Sequence, residues 1–511
     1  MPSMRTAPLF IGLLGVIAAV SATPCPQLPV GDLGYERHQA LSHDEATDTY
    51  LFQNIRYAQS PTGDLRFRAP VSPPENRTTI QTGSELRVCP QGIPGWQAKA
   101  SGAAAKFANP KEPISVDLWV EDIRNAQVPD VDFNAGTSED CLRCARSALC
   151  IHGGGGVLGG KSGYPQQYMV PSGILSHAST SPEGLIFVAI NYRLGAFGYL
   201  DSPDVRADGN ANVANLDQRF ALNWVQDNIH LFGGDRNRVT AMGESGGGGS
   251  IILQMAADSE EFGPTPFSKA IIQSPAYIPT AKSSTTAYDD FLGYTGVESL
   301  KEARAVDSKT VIAANAAQIG NAPPTTYIFG NAIDSSFLHS SPMEILRNGR
   351  FNKSVAVLAG HNSWEGYFFF DPNVSNDEQF GDWVQASVAG LSSEQVDELV
   401  NEVYPATFDG TYGYTSQETR QMSLWEEAFF DCNFQLLGNA IGGKSYAYEF
   451  SVPPGFHTQD LRYTFNAPGA SVPFPKAQHE LQSAIVSFAQ NDVPTTADGK
   501  DFPPWEGLVT W

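Results

Sequence analysis

The stretch Gly243-Glu244-Ser245-Gly246-Gly247 decides the fold expected for this chain. It follows a short segment, 238–242, with the composition of a β-strand, and it precedes a segment, 250–255, with the pattern of a helix. A serine in a sharp strand-to-helix turn needs very small neighbours, because the flanking backbones come close together. Such a turn holds the serine hydroxyl at the carboxyl edge of a sheet, where a histidine can take its proton.

Strand and helix patterns alternate along the rest of the chain. Residues 185–192 form an apolar run of strand length, and 355–359 and 446–450 have the pattern of later strands. Residues 215–231 and 477–491 carry apolar side chains at helical spacing. This alternation predicts an α/β fold with a large, mostly parallel sheet flanked by helices.

The first 22 residues have the pattern of a secretory signal peptide. Arg5 precedes an apolar stretch, 7–20, which is short for a membrane span of roughly 20 residues. We therefore expect a signal peptide over 1–22, a single secreted domain over 23–511 and no stable membrane span. Three Asn-x-Ser/Thr sequons fit a glycosylated secreted product: Asn76, Asn352 and Asn373.

Composition limits the partners of the chain. The 511 residues are 41% hydrophobic, which is enough to bury a large core. Acidic residues number 55 and basic residues 32, and the formal net charge is −23. A surface of this sign repels nucleic acid and anionic membranes, so we expect no nucleic-acid partner.

A second glycine-rich segment, Ile151-His152-Gly153-Gly154-Gly155-Gly156, lies upstream of the serine turn. Glycines leave backbone N–H groups unobstructed, and such groups stabilise the oxyanion that forms when a carbonyl is attacked. This glycine run accompanies the serine turn in enzymes that cleave esters. Together the two segments predict acyl transfer from a carboxylic ester.

A histidine must activate Ser245, and an acid must orient that histidine. In this fold the three residues follow in the order Ser, acid, His. Four histidines lie after the serine: His339, His361, His457 and His479. His457 fits best, because it lies in a loop just after the predicted strand 446–450. His361 has a similar setting, but no acid candidate lies at an earlier strand end.

The acid must then lie between Ser245 and His457. Glu365 stands in a turn after the predicted strand 355–359. By spacing alone Asp371 competes with it.

One cysteine pair has the spacing of a redox or zinc motif, Cys141-Leu-Arg-Cys144. A zinc site needs further ligands, and no second Cys-x-x-Cys and no paired histidines accompany it. We therefore predict neither a metal site nor a redox role.

At these residues the chain resembles the type-B carboxylesterase/lipase family, an α/β-hydrolase family that includes cholinesterases and fungal lipases. In character it is most similar to the secreted fungal members. The resemblance runs from about residue 52 to 505 and is carried by several blocks besides the serine turn: 52–58, 63–67, 191–198, 215–218 and 232–235.

The resemblance implies an activity and assigns residues to it. Ser245 is the implied nucleophile, Glu365 the acid and His457 the base, in a secreted carboxylic ester hydrolase that forms an acyl-enzyme. The implied oxyanion donors are Gly154, Gly155 and Gly246, and the implied disulfide joins Cys89 and Cys141. The mechanism needs no metal or cofactor, and the substrate is a small-molecule or lipid ester. The alternative is a catalytically impaired binding protein, since the family contains members that have lost the triad.

Two segments depart from a simple assignment. Between Leu142 and His152 the family carries two strands, whereas only residues 143–151 intervene here, so we expect at least one strand to be absent through a deletion or an error in the deduced coding sequence. Residues 90–140 include Trp96 and Trp119 and form either a lipase-like lid or a surface loop.

Overall fold

The structure is a computed structural model. It describes residues 28–85, 87–104, 115–128, 134, 136–145, 149–162, 170–257, 261–277, 284–388, 390–442, 445–466, 471–505 and 509–510. The predicted signal peptide, 1–22, lies outside the described residues.

Short strands are distributed over the whole described chain. In chain order they are β1 (Val30–Asp32), β2 (Glu36–Gln39), β3 (Ser42–Asp44), β4 (Thr49–Leu51), β5 (Ile55–Arg56), β6 (Asn76–Gln81), β7 (Arg143–Ala145), β8 (Leu149–Ile151), β9 (Ala189–Ile190), β10 (Thr240–Glu244), β11 (Lys269–Gln273), β12 (Ala356–Asn362), β13 (Ser445–Phe450) and β14 (Val509–Thr510).

Among the described residues, nine of these strands form the central sheet, in the order β14-β13-β12-β11-β10-β8-β9-β7-β5. Every neighbouring pair from β14 to β9 is parallel, and only the pairs β9–β7 and β7–β5 are antiparallel. The predicted large, mostly parallel sheet is therefore confirmed. Because parallel strands end at one edge, the loops that follow β10, β11, β12 and β13 meet there.

Helices connect and cover the strands. They are α1 (Gly95–Ala104), α2 (Val116–Asn125), α3 (Ser172–Ala178), α4 (Ala196–Tyr199), α5 (Pro203–Asp208), α6 (Val213–Asn228), α7 (Gly246–Ala256), α8 (Ser284–Thr295), α9 (Leu300–Ala305), α10 (Ser308–Gly320), α11 (Pro342–Arg347), α12 (Asp377–Ser387), α13 (Ser393–Glu398), α14 (Gln417–Glu426), α15 (Cys432–Ile441), α16 (Gln459–Phe465) and α17 (Pro475–Asn491). None of the helices in the described ranges has the length and apolar character that crossing a membrane requires.

The sheet is buried on both faces. Successive residues of a strand point to opposite faces, and those of β11 join different apolar clusters. Ile272 packs with side chains of α6 and α7, whereas Ile271 packs with side chains of α3, α16 and α17. Helices on both faces explain why the central strands are apolar without alternation.

The expectation that a strand is absent between Leu142 and His152 is wrong. The segment contributes both β7 and β8, which flank β9: Ala145 and Cys150 each pair with Ala189. Both strands have only three residues, however, and β8 begins opposite Ala241.

A cavity of about 200 Å³ lies at the amino ends of the strands, away from the carboxyl edge, and its lining includes Leu185, Ile186 and Thr240. The predicted strand 185–192 correspondingly reduces to β9, because β8 is too short to pair with its first half.

Candidate active site

Ser245 stands between β10 and α7 in a backbone conformation that few residues adopt. Its φ of 56° is positive, and its N–H donates to the carbonyl of Gln273 at 2.9 Å. A β-carbon on Gly247 would lie 2.1 Å from the carbonyl oxygen of Ile151, so only glycine fits beside the turn. The predicted strand–turn–helix arrangement is present, with α7 beginning directly after the serine.

His457 lies beyond β13 and reaches the serine across the sheet edge. Its Nε2 is 3.0 Å from the Ser245 hydroxyl, and its Nδ1 is 2.5 Å from Oε2 of Glu365. Glu365 begins a 3₁₀ helix, Glu365–Phe368, after β12. All three side chains are buried, and Glu365 is fully so. The structure therefore brings together the three residues that the sequence placed in the order Ser, acid, His.

The competing candidates lie elsewhere. The ring of His361 lies 4.7 Å from that of Phe434 at a tilt of 59°, and its Nδ1 is 3.8 Å from Oδ1 of Asp431. His479 is on the exposed side of α17, 5.3 Å from the ring of His177. Asp371 accepts hydrogen bonds from the backbone and side-chain nitrogens of Asn373 at 2.9 and 2.8 Å, and among the described residues no hydrogen bond or ion pair joins it to His457.

Three carboxyl groups set the basicity of His457. Burial by itself lowers the pKa of the imidazole, but the charges of Glu244, Glu365 and Asp460 and the hydrogen bond to Glu365 oppose it. The net effect is a pKa above the ordinary value for histidine. The ring is therefore a stronger base than a free imidazole.

Glu365 stays ionised despite its burial. Burial raises its pKa, but the charge of His457 and hydrogen bonds from three neighbours lower it below the ordinary value. Ser274 donates its hydroxyl to Oε1 at 2.6 Å, and the backbone N–H of Asn362 donates to the same oxygen at 2.5 Å. The other oxygen, Oε2, faces His457.

Sequence reasoning missed the roles of Ser274, Asn362 and Glu244. Ser274 directly follows β11, a strand that was not predicted, and Asn362 ends β12. A polar residue directly after the apolar run 270–272 is the signal that could have found Ser274. The sequence places Glu244 inside the serine turn, but it does not indicate that the carboxyl lies close to His457.

The glycine loop 153–156 lies against the serine turn. A β-carbon on Gly246 would be 3.4 Å from the backbone nitrogen of Gly155, so these two backbones approach closely. Gly154 and Gly155 have positive φ values of 102° and 59°, which glycine adopts without strain. The ring of Tyr327 covers Gly155, since a β-carbon there would lie 2.3 Å from it. The backbones of Gly155 and Gly246 therefore lie against each other next to the serine turn.

Cys89 and Cys141 form a disulfide between residues 52 positions apart. Among the described residues Cys144 and Cys150 are buried thiols and Cys432 is an exposed one. The sequon residues Asn76 and Asn373 are exposed, and Asn352 is half-buried.

Comparison with known proteins assigns the family. Residues 33–510 match the carboxylesterase family. This chain belongs to the carboxylesterase family. Carboxylesterase patB of Aspergillus clavatus is 35% identical to it, over 97% of this chain and 93% of that protein. A secreted triacylglycerol lipase of Gibberella zeae is 28% identical, over 79% of this chain and 74% of that protein.

The fold of this carboxylesterase-family chain is also that of solved esterases. EstA of Aspergillus niger superposes with a TM-score of 0.74 at 24% identity, over 95% of this chain and 94% of that chain. The expected α/β-hydrolase fold is confirmed. The chain is a carboxylic ester hydrolase.

Proposed function

We propose that this chain is a secreted serine ester hydrolase that acts through Ser245, His457 and Glu365 and forms an acyl-enzyme. The observation that carries the proposal is the continuous hydrogen-bonded chain from the serine hydroxyl through the imidazole to the carboxylate, with separations of 3.0 and 2.5 Å. A nucleophile, a base within hydrogen-bond reach and a third group that orients the base are what acyl transfer requires.

The first half of the cycle forms the acyl-enzyme. His457 Nε2 takes the hydroxyl proton as Ser245 Oγ bonds to the carbonyl carbon of the ester. The tetrahedral intermediate collapses, the alkoxide leaves with the proton from the imidazolium, and the acyl group stays on the serine. The second half repeats these steps with water as the nucleophile and releases the carboxylic acid. Glu365 stabilises the imidazolium in both halves.

The oxyanion is proposed to rest on backbone N–H groups of Gly154, Gly155 and Gly246. The close approach of Gly246 to the nitrogen of Gly155 supports this arrangement. Donors that are held in place before the reaction starts stabilise the developing charge without reorganising.

Secretion and glycosylation belong to the same proposal. The signal-peptide pattern over 1–22 and the disulfide between Cys89 and Cys141 support an oxidising, extracytoplasmic location. The proposed glycosylation sites are Asn76, Asn352 and Asn373.

Activity measurements on variants test the triad. Ser245→Ala should lower p-nitrophenyl ester turnover by about 10⁴-fold or more. His457→Ala should do the same, whereas His479→Ala is the matched control because that histidine lies on the surface of α17. Retained turnover in Ser245→Ala with a native unfolding curve would contradict the assignment.

Covalent labelling separates this function from that of an impaired binding protein. A fluorophosphonate bonds only to an activated serine hydroxyl, so wild-type protein should be labelled once, on the peptide that contains Ser245. Wild-type protein that folds but remains unlabelled would favour the binding protein.

A further inference from the structure

The disulfide between Cys89 and Cys141 encloses residues 90–140, and the part of this segment that the structure describes, 90–104, 115–128, 134 and 136–140, is here called the flap. We infer that the flap is a fixed wall of the active site and not a gate, and that Trp119 in it is a positioning residue for the loops of Glu365 and His457. The enzyme then hydrolyses dissolved esters with no need of an oil–water interface. This inference rests on the proposed triad and specifies the physical state of its substrate.

Trp119 on α2 contacts both loops that carry the proposed base and acid. Its indole stacks on Tyr367 with ring centroids 4.5 Å apart, and it lies 5.2 Å from the ring of Phe456. Tyr367 is two residues after Glu365, Phe456 immediately precedes His457, and their two rings stack at 4.3 Å. One flap side chain therefore closes an aromatic stack that joins the two loops.

The polar end of Trp119 is also held. Its Nε1–H donates to the carbonyl oxygen of Tyr367 at 2.9 Å, and the residue is 0% exposed. A buried indole that keeps both its apolar contacts and its hydrogen bond has one favoured position. The bond specifies where α2 sits relative to the acid loop.

A second tryptophan fixes the other flap helix. Trp96 on α1 donates from Nε1 to the carbonyl of Thr326 at 3.2 Å, and its ring meets those of Tyr327 and Phe369 at 5.6 and 5.8 Å. Phe369 lies 5.9 Å from the ring of His457, and Tyr327 is the ring that covers Gly155. The flap is thus anchored on the base side and on the glycine-loop side.

The apolar surface between the flap and the triad loops is continuous. Buried flap residues form one cluster with residues of the acid and base loops and of α14: Ala100, Ala103, Trp119, Val120, Ile123, Tyr367, Phe370, Met422 and Phe456. A segment opens easily when few buried contacts hold it. Opening this flap would expose two indoles and break both of their hydrogen bonds.

The consequence for catalysis follows from what the flap supports. A lid that opens at a lipid surface must leave the catalytic residues in place when it moves. Here the moving part would take Trp119 out of the stack between Tyr367 and Phe456, and the loops of Glu365 and His457 would lose their common support. Substrate must therefore reach Ser245 with the flap in place, as single dissolved molecules.

Kinetics across the solubility limit test the inference on the wild-type protein. Turnover of p-nitrophenyl butyrate and of tributyrin should saturate with the dissolved concentration and show no step when droplets appear. A severalfold increase in turnover at the concentration where droplets appear would overturn the inference that the flap is a fixed wall. Absence of turnover at all concentrations, together with absence of fluorophosphonate labelling, would instead contradict the proposed triad.

Variants of α2 test the positioning role. Trp119→Ala should lower kcat on dissolved ester about tenfold or more with a smaller change in KM, because a displaced base or acid costs rate more than binding. Trp119→Phe keeps an aromatic ring in the stack and should recover most of kcat. Leu118→Ala is the matched control, since the preceding residue is 57% exposed.

Two results would overturn the positioning role. One is a folded Trp119→Ala protein with wild-type kcat and pH profile. The other is an equal loss in Trp119→Ala and Leu118→Ala. If Trp119→Ala fails to fold, Trp119→Phe and the wild-type kinetics still decide: a step at droplet onset in either protein counts against the inference.

Discussion

Oε1 of Glu244 lies 3.4 Å from Nε2 of His457, the same nitrogen that faces the Ser245 hydroxyl. Burial raises the pKa of the Glu244 carboxyl to about 8, and the charge of His457 opposes that rise. A carboxyl that titrates near neutral pH beside the base gives this site a pH dependence beyond that of the histidine alone.

Glu244→Gln should move the acid limb of the kcat/KM profile to lower pH. Ester attack needs neutral His457, so activity falls as the pH drops through the histidine pKa. The ionised form of Glu244 raises that pKa, and an amide cannot ionise, so the variant histidine stays neutral to lower pH. The profile of kcat/KM against pH on a soluble ester measures the shift.

A Glu244→Gln profile with an unmoved or upward-shifted acid limb would contradict this relationship. Glu426→Gln provides the control. Burial raises the pKa of that carboxyl to about 9, but its Oε2 accepts from the backbone of Gly366 and does not face Nε2 of His457.

Two adjacent glycines in the nucleophile turn should respond oppositely to alanine. A β-carbon on Gly246 meets nothing closer than 3.4 Å, and alanine there restricts the unfolded chain, so Gly246→Ala should raise the free energy of unfolding by about 0.5–1 kcal/mol and keep activity. A β-carbon on Gly247 would lie 2.1 Å from the carbonyl oxygen of Ile151, so Gly247→Ala should abolish turnover. Thermal unfolding and ester turnover should be measured for both variants. Equal effects of Gly246→Ala and Gly247→Ala would contradict the close approach of Gly247 to the Ile151 carbonyl.

Ser274→Ala should weaken the support that Glu365 gives to the His457 imidazolium. The variant loses the 2.6 Å hydrogen bond to Oε1 of buried Glu365, which costs about 2 kcal/mol of stability and raises the pKa of the carboxyl. Activity should fall, and the acid limb of the pH profile of activity should move, because a protonated Glu365 no longer stabilises the imidazolium.

Ser202→Ala is the control for that loss. Ser202 is a buried serine that accepts from the N–H of Val205 at the start of α5, so its loss should cost about 1 kcal/mol with unchanged kcat. Ser274→Ala with the same kcat as Ser202→Ala would show that the hydroxyl serves stability alone.

His152 should make the fold sensitive to acid. Burial lowers its pKa to about 4, and its ring stacks on Tyr192 at 4.3 Å. The unfolded chain takes up this proton below its ordinary pKa of 6.5, whereas the folded protein does so only near 4, so stability falls as the pH drops from 6.5 to 4. The loss between pH 7 and 4.5 is about 2–3 kcal/mol.

Urea unfolding at the two pH values checks this contribution. His152→Gln has no proton to take up, so its free energy of unfolding should fall by about 2–3 kcal/mol less than that of the wild type over the same range. Equal falls in both proteins would show that other groups carry the acid sensitivity.

The parts of the site that the sequence predicted are those with local requirements. Steric crowding in one turn restricts Gly243 and Gly247, two residues before and after Ser245, to glycine. The oxyanion donors favour the glycines of 153–156, so both patterns can be recognised in a short stretch of sequence. His457 was also predictable, because a base belongs in a loop directly after a strand. The sequence left Glu365 and Asp371 as alternatives, since spacing does not say which side chain points at the base.

Only the tertiary structure determines which side chains come into contact at the carboxyl edge of the sheet. The order of β10, β11, β12 and β13 places Ser274 and Asn362 on Glu365, and it places Glu244 beside His457. The three-residue β7 and β8 likewise depend on pairing with β9 and not on their own composition. Ser245 and His457 lie 212 positions apart, so the contact between them, and the Trp119 stack behind it, arise only when the sheet and the flap have packed.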